Sequence, residues 1–242
     1  HAMGNIYIGG YVEDADIWSG QDIIIQDGVN AGENGRIEAM GNISARFFEN
    51  AHIISHSDIK CDYMLNTTAL AYGGIYLEGK RGSVIGGDVT GVRGICIKAC
   101  GSESYSKTVL RVGVTKEISS EYAKVLMVLK DIDTQIDRFN QALQKLDILK
   151  KAGSDKFDET LNRKLLQSKI VKTAEKAKYE EKSRNLYTLV RESDRAVVRI
   201  DKNIYPGSRV FMGDKTYVPS TVFTHIALKK TSQGVLIRNY DS

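Results

Sequence analysis

The sequence predicts a mainly β fold, a parallel β-solenoid into which a long helical hairpin is inserted. Three observations carry this prediction: a short motif that recurs along the first half of the chain, alternating apolar residues within each copy, and a heptad pattern in the middle. The chain has 242 residues, with 22 glycines and only 2 prolines. Glycines at this frequency suit repeated tight turns, because glycine adopts the backbone angles that such turns require.

The recurring motif is a small or polar residue, then Asp, Asn or Gly, then a β-branched residue. Successive copies lie roughly 14 to 20 residues apart, which is too short for helical repeats. Within a copy, apolar residues such as Ile23 and Ile25 fall two apart, the period of a strand with one buried face. We predict two short strands per repeat, stacked in parallel on the next repeat, with a β-sandwich as the alternative. The copies are Gly4-Asn5-Ile6, Gln21-Asp22-Ile23, Gly41-Asn42-Ile43, Ser57-Asp58-Ile59, Gly73-Gly74-Ile75 and Gly87-Asp88-Val89.

Two long helices are predicted in the middle of the chain. In the first, apolar residues recur at alternating steps of four and three over four heptads, which predicts a coiled-coil helix. Gly153 suits the end of this helix and Ser154 or Asp155 can cap the next, so the two form an antiparallel hairpin. The seam of the first helix is Ile118, Tyr122, Val125, Leu129, Ile132, Ile136, Phe139, Leu143 and Leu146, and the packing candidates of the second are Leu161, Leu165, Leu166, Ile170, Tyr179, Leu186 and Leu189.

The second helix has the weaker apolar pattern, and its stretch 172–184 is largely polar. A polar stretch there leaves part of the first helix poorly covered, which predicts a surface for a partner protein or for self-association. The candidate partner-binding residues are Lys172, Lys176, Tyr179 and Arg184.

The predicted organisation has three parts. Residues 1–3 have the composition of a cloning remnant. Residues 4–116 and 197–242 form the solenoid domain, whose C-terminal part returns to close one end of the solenoid. Residues 117–196 form the helical hairpin.

Acidic and amide residues of the repeat are the first candidates for chemistry. Asp22, Asn42, Asp58 and Asp88 would form a column on an outer face, as in a carbohydrate-active β-helix. Asp and Asn also recur at tight turns, where they hydrogen-bond the nearby backbone, and we favour this interpretation.

Histidines, cysteines and a glycine-rich segment give weaker signals. His52 and His56 lie four apart without a nucleophile beside them, and we interpret them as a surface pair and His225 as a structural strand residue. Cys96 and Cys100 lack the second pair of ligands that a zinc site needs. The segment 82–87 lacks the Lys-Ser/Thr ending of a phosphate loop and is interpreted as a coil corner. We therefore predict no catalytic, cofactor or metal site.

The charge pattern leaves nucleic acid as a further alternative. The net charge is only +4, and no apolar run approaches the ~20 residues of a membrane helix. The second helix is locally basic, and a basic helix can follow phosphates, although a solvated face explains the same residues. The cations concerned are Arg163, Lys164, Lys169, Lys172, Lys176, Lys178, Lys182 and Arg184.

Several motifs resemble the flagellar assembly protein A family. They are the repeated coils, Ala45-Arg46-Phe47-Phe48-Glu49-Asn50-Ala51, Gly82-Ser83-Val84-Ile85-Gly86-Gly87, Cys100-Gly101-Ser102, Leu110-Arg111-Val112-Gly113 and Ile204-Tyr205-Pro206-Gly207, with a coiled coil before the last. The order covers nearly the whole chain, and Cys96 and Cys100 depart from the usual aliphatic or small residues.

The resemblance implies a right-handed β-helix with an inserted coiled coil, in a cytoplasmic bacterial protein of flagellar assembly or polar placement. In some members a sugar-phosphotransferase component is a partner, and an additional N-terminal domain is usual. We therefore predict a non-enzymatic scaffold that binds other proteins. The alternatives are a carbohydrate-active or carbohydrate-binding β-helix, and nucleic-acid binding through the second helix.

Overall fold

The computed structural model describes residues 1–32, 35–114 and 116–239, leaving out the side chains of residues 116 and 117. The chain divides into two compact units. One unit comprises His1–Thr115 and Leu189–Ser242, and the other is Lys116–Thr188.

The first unit is built almost entirely of short strands, and the second of two helices. In chain order the elements are β1 (Ile6–Ile8), β2 (Val12–Glu13), β3 (Ile17–Ser19), β4 (Ile23–Ile25), β5 (Gly28–Asn30), β6 (Arg36–Ala39), β7 (Ile43–Ser44), β8 (Phe47–Glu49), β9 (His52–Ser55), β10 (Ile59–Cys61), β11 (Tyr63–Ala71), β12 (Gly74–Leu77), β13 (Ser83–Gly91), β14 (Gly94–Ile97), β15 (Ala99–Cys100), β16 (Thr108–Val112), α1 (Lys116–Lys151), α2 (Glu159–Ser193), β17 (Val197–Ile204), β18 (Ser208–Met212), β19 (Lys215–Tyr217), β20 (Phe223–Lys230) and β21 (Val235–Asn239).

The strands stack in parallel on three sides, which makes the first unit a parallel β-solenoid. The first side runs β1–β4–β7–β10–β12–β14–β17. The second runs β2–β5–β8–β11–β13–β15–β17, and the third runs β3–β6–β9–β11–β13–β16–β18. Long strands such as β11 and β13 contribute to two sides. The prediction of two strands in each repeat was therefore wrong: a coil has three sides, and some corners do not interrupt the strand.

Inward-facing residues of neighbouring coils stack directly on one another. On the first side Ile23, Ile43, Ile59, Ile75 and Ile95 follow in register, and each is fully buried. Parallel pairing at about 4.8 Å brings these identical side chains into contact, so branched aliphatic residues fill this column.

The copy Gly87-Asp88-Val89 was assigned to the wrong place in the repeat. Asp88 lies on the third side, where its backbone pairs with Thr68 and Val109. The coil that follows Ile75 instead begins at Gly94 and Ile95. Alternating apolar residues occur on every side of a coil, so alternation alone does not reveal which side a segment occupies.

The corner between the second and third sides uses residues that tolerate a left-handed backbone. Asn50, Asn66 and Gly86 occupy this corner in successive coils, with φ of 46°, 47° and 71°. Asparagine and glycine adopt this region at low cost, whereas branched residues do not. The corner therefore turns without a separate loop.

The C-terminal segment first extends the solenoid and then covers its end. β17 and β18 add parallel strands to β14 and β16. The direction then reverses, because β20 pairs antiparallel with β17, β21 with β20, and β19 with β18. Tyr217 and Val235, from β19 and β21, pack against the core. The predicted C-terminal part therefore has two pieces: β17 and β18 form a further coil, and β19–β21 pair antiparallel beyond it.

Candidate partner-binding surface

The second unit is a hairpin of two helices whose contacts show an antiparallel arrangement. Lys182 Nζ lies 2.6 Å from Glu121 Oε1, and Lys176 Nζ lies 2.7 Å from Asp133 Oδ1. In successive contacts between the helices, the residue number rises on α1 and falls on α2, so the helices are antiparallel, as in a hairpin with a short connection. Gly153 ends the first helix with φ of 60°, and Asp158 Oδ1 accepts a hydrogen bond from the Leu161 amide at the start of the second.

The predicted seam of α1 faces α2. Ile118, Val125, Ile132 and Leu146 are buried, and the other five predicted seam residues are half-buried. On α2, Leu186 is the single buried residue among those described. Three predicted packing residues of α2, Leu161, Leu166 and Ile170, are exposed, and for these the prediction was wrong.

Polar residues occupy the inner face of α2 in place of those leucines. Lys169, Lys172, Lys176 and Ser183 are half-buried at helical spacing on the side that carries Tyr179 and Leu186. Lysine stems can cover apolar surface while the ammonium group stays in water, so they substitute in part for leucine. The first helix consequently retains seam residues that are only half covered.

A groove runs between the helices at one part of this seam. Its floor is apolar and comprises Val125, Val128 and Tyr179, and its rim carries charges of both signs. The remaining lining residues are Ser120, Glu121, Lys124 and Lys182. The sequence analysis named Tyr179 and the seam residue Val125 but not the other α1 residues of the groove. Val128 lies one position outside the heptad seam, and the incomplete cover by α2 makes it accessible.

The four predicted partner-binding residues do not lie on one exposed surface. Lys172 pairs with Glu175 at 2.8 Å, and Lys176 pairs with Asp133 and, at 3.5 Å, with Glu180. The hydrogen bond from Lys176 to Asp133 raises the pKa of the lysine, which keeps it charged. Tyr179 lines the groove, whereas Arg184 is exposed outside it.

Within the described part of the chain, four of the eight cations proposed for nucleic-acid binding are engaged in ion pairs. Arg163 pairs with Glu159, Lys172 with Glu175, Lys176 with Asp133 and Lys182 with Glu121. These pairs reduce the positive field of α2, and phosphate contacts depend on that field. Nucleic-acid binding stays a prediction.

The Asp and Asn residues of the repeat form a ladder along the solenoid. Asn5 accepts a hydrogen bond from the Asp22 amide at 3.0 Å, and Asp22 from the Asn42 amide at 2.6 Å. Asn42 accepts from the Asp58 amide at 3.2 Å, and Asp58 from the Gly74 amide at 2.8 Å. The residues lie at turns, as predicted, but the prediction that they bond the nearby backbone was wrong: each side chain binds the backbone of the next coil. Asp88 stands apart on the third side, in a bidentate pair with Arg111.

The histidines lie in separate environments. His52 is exposed on β9. His56 follows that strand, stacks on Tyr72 at 4.9 Å between ring centroids, and lies 3.6 Å from Glu38. His225 is exposed on β20 at a register shift opposite Ile200 and Asn203, with φ of 53°. A residue inserted in one strand explains the unusual φ, because a β-bulge bends the strand locally.

The cysteines are free thiols in different surroundings. Cys61 and Cys100 are buried in the core and Cys96 is half-buried on the outer face of the first side. Burial raises the pKa of all three thiols, that of Cys100 to about 12. Within the described ranges, no cluster of three or more His, Cys, Asp or Glu residues could hold a metal ion. Gly82, Gly86 and Gly87 all have positive φ, which fits the corner interpretation of segment 82–87.

The fold and its comparison with known families define the class of the protein. It is a parallel β-solenoid with an inserted helical hairpin, and among the described residues no helix is long and apolar enough to cross a membrane. A family model described as the Flagellar Assembly Protein A β-solenoid domain matches residues 1–233, and the chain belongs to this family. Neither a curated protein nor a solved structure matches the chain significantly.

Proposed function

We propose that this chain is a non-enzymatic scaffold that binds other proteins in the bacterial cytoplasm, in flagellar assembly or in placing the flagellum at a cell pole. Membership of a family named for flagellar assembly supports the biological process. The incompletely covered hairpin supports protein binding, because it offers apolar surface that the chain itself leaves accessible. The first partner to test is a sugar-phosphotransferase component.

The groove on the hairpin carries this proposal. The groove follows α1 for about two helical turns, from Ser120 to Val128, and Val125, Val128 and Tyr179 form its apolar floor. The ion pair of Glu121 and Lys182 lies on its rim. An amphipathic helix with apolar residues at i, i+3 and i+7 fits a groove of this kind. We propose that Tyr179 contacts the partner, with Lys172 and Lys176 as flanking cations.

The repeat residues that an enzyme would need have structural roles. Asp22, Asn42 and Asp58 accept backbone hydrogen bonds from the adjacent coil. These hydrogen bonds between coils explain why the residues recur without a catalytic role. This supports a scaffold over a carbohydrate-active β-helix.

A capture experiment with the full chain tests the proposal. The immobilised protein is exposed to lysate of a flagellated bacterium and, separately, to the purified sugar-phosphotransferase component, with bound proteins identified by mass spectrometry. Val128→Glu combined with Tyr179→Ala should reduce recovery of a flagellar-assembly partner roughly tenfold, since a charge then lies on the apolar floor. Met127→Glu, at a residue 73% exposed, is the matched control.

Each outcome separates the candidate functions. If the groove variant no longer captures the partner and the control still does, the scaffold function is supported. Equal recovery of the partner by the groove variant and by the control excludes the groove as its binding site. Turnover of an acidic polysaccharide that Asp58→Asn abolishes would establish the carbohydrate-active alternative. Steeply salt-dependent DNA binding lost in Lys172→Glu and Arg184→Glu would establish the nucleic-acid alternative.

A further inference from the structure

The outer side of α2 carries a second regular stripe that does not face α1. Its eight residues recur at alternating steps of four and three, the spacing of a helix that packs along another helix. All eight are exposed in this chain. We call this set the outer stripe, and it consists of Glu159, Arg163, Leu166, Ile170, Thr173, Ala177, Glu180 and Arg184.

The middle of the outer stripe is apolar or small. Leu166 is 45% exposed and Ile170 68% exposed, and Thr173 and Ala177 follow. Val171, beside the stripe, is also exposed. These apolar residues lie on adjacent turns of one helical face, so packing against a second helix would bury them together.

The ends of the outer stripe are charged, and their order is symmetric. About a point midway between Val171 and Lys172, Glu159 corresponds to Arg184 and Arg163 corresponds to Glu180. An identical helix laid antiparallel about this point therefore places opposite charges together at all four charged positions. A parallel copy would place like charges together, and a partner of a single charge sign would meet repulsion at each end.

We propose that the outer stripe binds the outer stripe of a second copy of this chain, antiparallel and about a two-fold axis between Val171 and Lys172. Two-fold contacts of this kind are self-complementary, because each residue is used once on each side. Leu166 then packs opposite Ala177, and Ile170 opposite Thr173. This contact is independent of the proposed scaffold function and leaves the groove free.

The ion pairs that the outer stripe makes within one chain do not oppose the association of two chains. Arg163 lies 3.4 Å from Glu159, and both side chains are largely exposed. Glu180 lies 3.5 Å from Lys176, which has a closer partner in Asp133 at 2.7 Å. Exposed pairs at such distances contribute little, so exchanging or sharing them across the interface costs little. The charges set the direction of pairing, and the apolar centre supplies most of the affinity.

The test measures the monomer–dimer equilibrium of the full chain by analytical ultracentrifugation over a wide concentration range. Wild type should dimerise reversibly. Arg163→Glu places like charges together twice per dimer and should raise the dissociation constant roughly tenfold. Adding Glu180→Arg to the same chain should restore dimerisation. Positions 163 and 180 lie 17 residues apart, about 26 Å along one helix, so they cannot contact each other within one chain. The second substitution can therefore compensate the first only across a dimer.

Two further variants complete the design. Ile170→Glu puts a charge beside the two-fold axis and should abolish the dimer. Lys178→Glu changes the charge of an exposed residue outside the outer stripe by the same amount as Arg163→Glu and should leave dimerisation unchanged. Circular dichroism of each variant checks that the helices remain folded.

Each result decides the proposal. Restoration by Glu180→Arg, with Lys178→Glu unaffected, supports the antiparallel pair. A wild-type chain that stays monomeric up to several hundred micromolar overturns it and leaves the outer stripe to a different protein. A dimer that responds equally to Arg163→Glu and Lys178→Glu, or that the second substitution does not restore, also overturns it.

Discussion

The solenoid and the hairpin bury their apolar residues to very different degrees. In the solenoid, inward residues such as Ile43, Ile59 and Ile75 have no exposed surface, because a coil above and a coil below enclose each one. In the hairpin, Val125 and Ile132 are buried, yet Leu126 and Met127 beside them are 44% and 73% exposed. Two helices cannot enclose a core by themselves. The solenoid therefore encloses its inward-facing apolar residues on all sides, whereas the seam of the hairpin stays partly uncovered.

The largest expected effect is in the solenoid core. Phe48 is fully buried on the second side, and Phe48→Ala should lower the free energy of unfolding by about 3–5 kcal/mol, because it leaves a cavity between coils. Chemical denaturation followed by circular dichroism measures this value. Tyr7→Ala, at a residue 69% exposed, is the control and should change stability little. Equal effects of the two would contradict the enclosed core.

A core substitution in the hairpin should cost less. Ile132 is 2% exposed but faces the polar part of α2, so Ile132→Ala should lower stability by about 2 kcal/mol. Hydrogen exchange should show the change in the amides of α1 and α2, with the solenoid strands unaffected. Met127→Ala is the matched control. Faster exchange throughout β4–β14 would show that the two units unfold together.

The ladder between coils has an intermediate role in stability. Asp58→Ala removes the acceptor of the buried Gly74 amide, which should lower the free energy of unfolding by about 1–3 kcal/mol. Asp58→Asn keeps an acceptor oxygen and should recover most of the loss. Thermal and urea denaturation of both variants measure the difference. If both variants were equally unstable, the charge of Asp58 and not its hydrogen bond would be responsible.

The smallest effect concerns pH at the C-terminal cap. The hydrogen bond from Lys230, 2.7 Å away, lowers the pKa of Asp214 from 3.8 to about 2. A carboxyl whose pKa is lowered on folding stabilises the folded state when the pH is above the pKa that the group has in the unfolded chain. This contribution is lost as the pH falls from about 4 towards 2. Carbon-detected NMR titration should place the Asp214 midpoint near 2. Lys230→Met should return it towards the ordinary value, and an unchanged midpoint would refute the pairing.

Much of the fold could be predicted because its strands and helices carry apolar residues at regular intervals. The alternation at Ile23 and Ile25 and the heptads of α1 report burial directly, since one face of each element is enclosed. The third side of the coil was missed because β11 and β13 pass a corner without a break, with Asn66 and Gly86 in left-handed conformations. Single asparagines inside an apolar run give little sign of such a corner.

The inner and outer faces of α2 were harder to predict than the fold. Leu166 and Ile170 were expected to pack on α1 because large apolar residues usually face inwards, but the lysines at 172 and 176 occupy that side. Lysine is amphipathic, so a heptad search that counts only apolar residues misplaces the inner face of α2. Including Lys172, Lys176 and Ser183 as seam residues would have assigned the inner face correctly.

The position of the insertion has a consequence for the order of folding. Gly94 on β14 pairs with Val197 on β17, although about a hundred residues separate them in the chain. During synthesis the last coil therefore cannot form until both helices have left the ribosome. If α1 and α2 pair first, they bring the ends of this long connection together and shorten the loop that remains to be closed. An early helical hairpin would thus guide the late strands to their place, in addition to any binding that it performs afterwards.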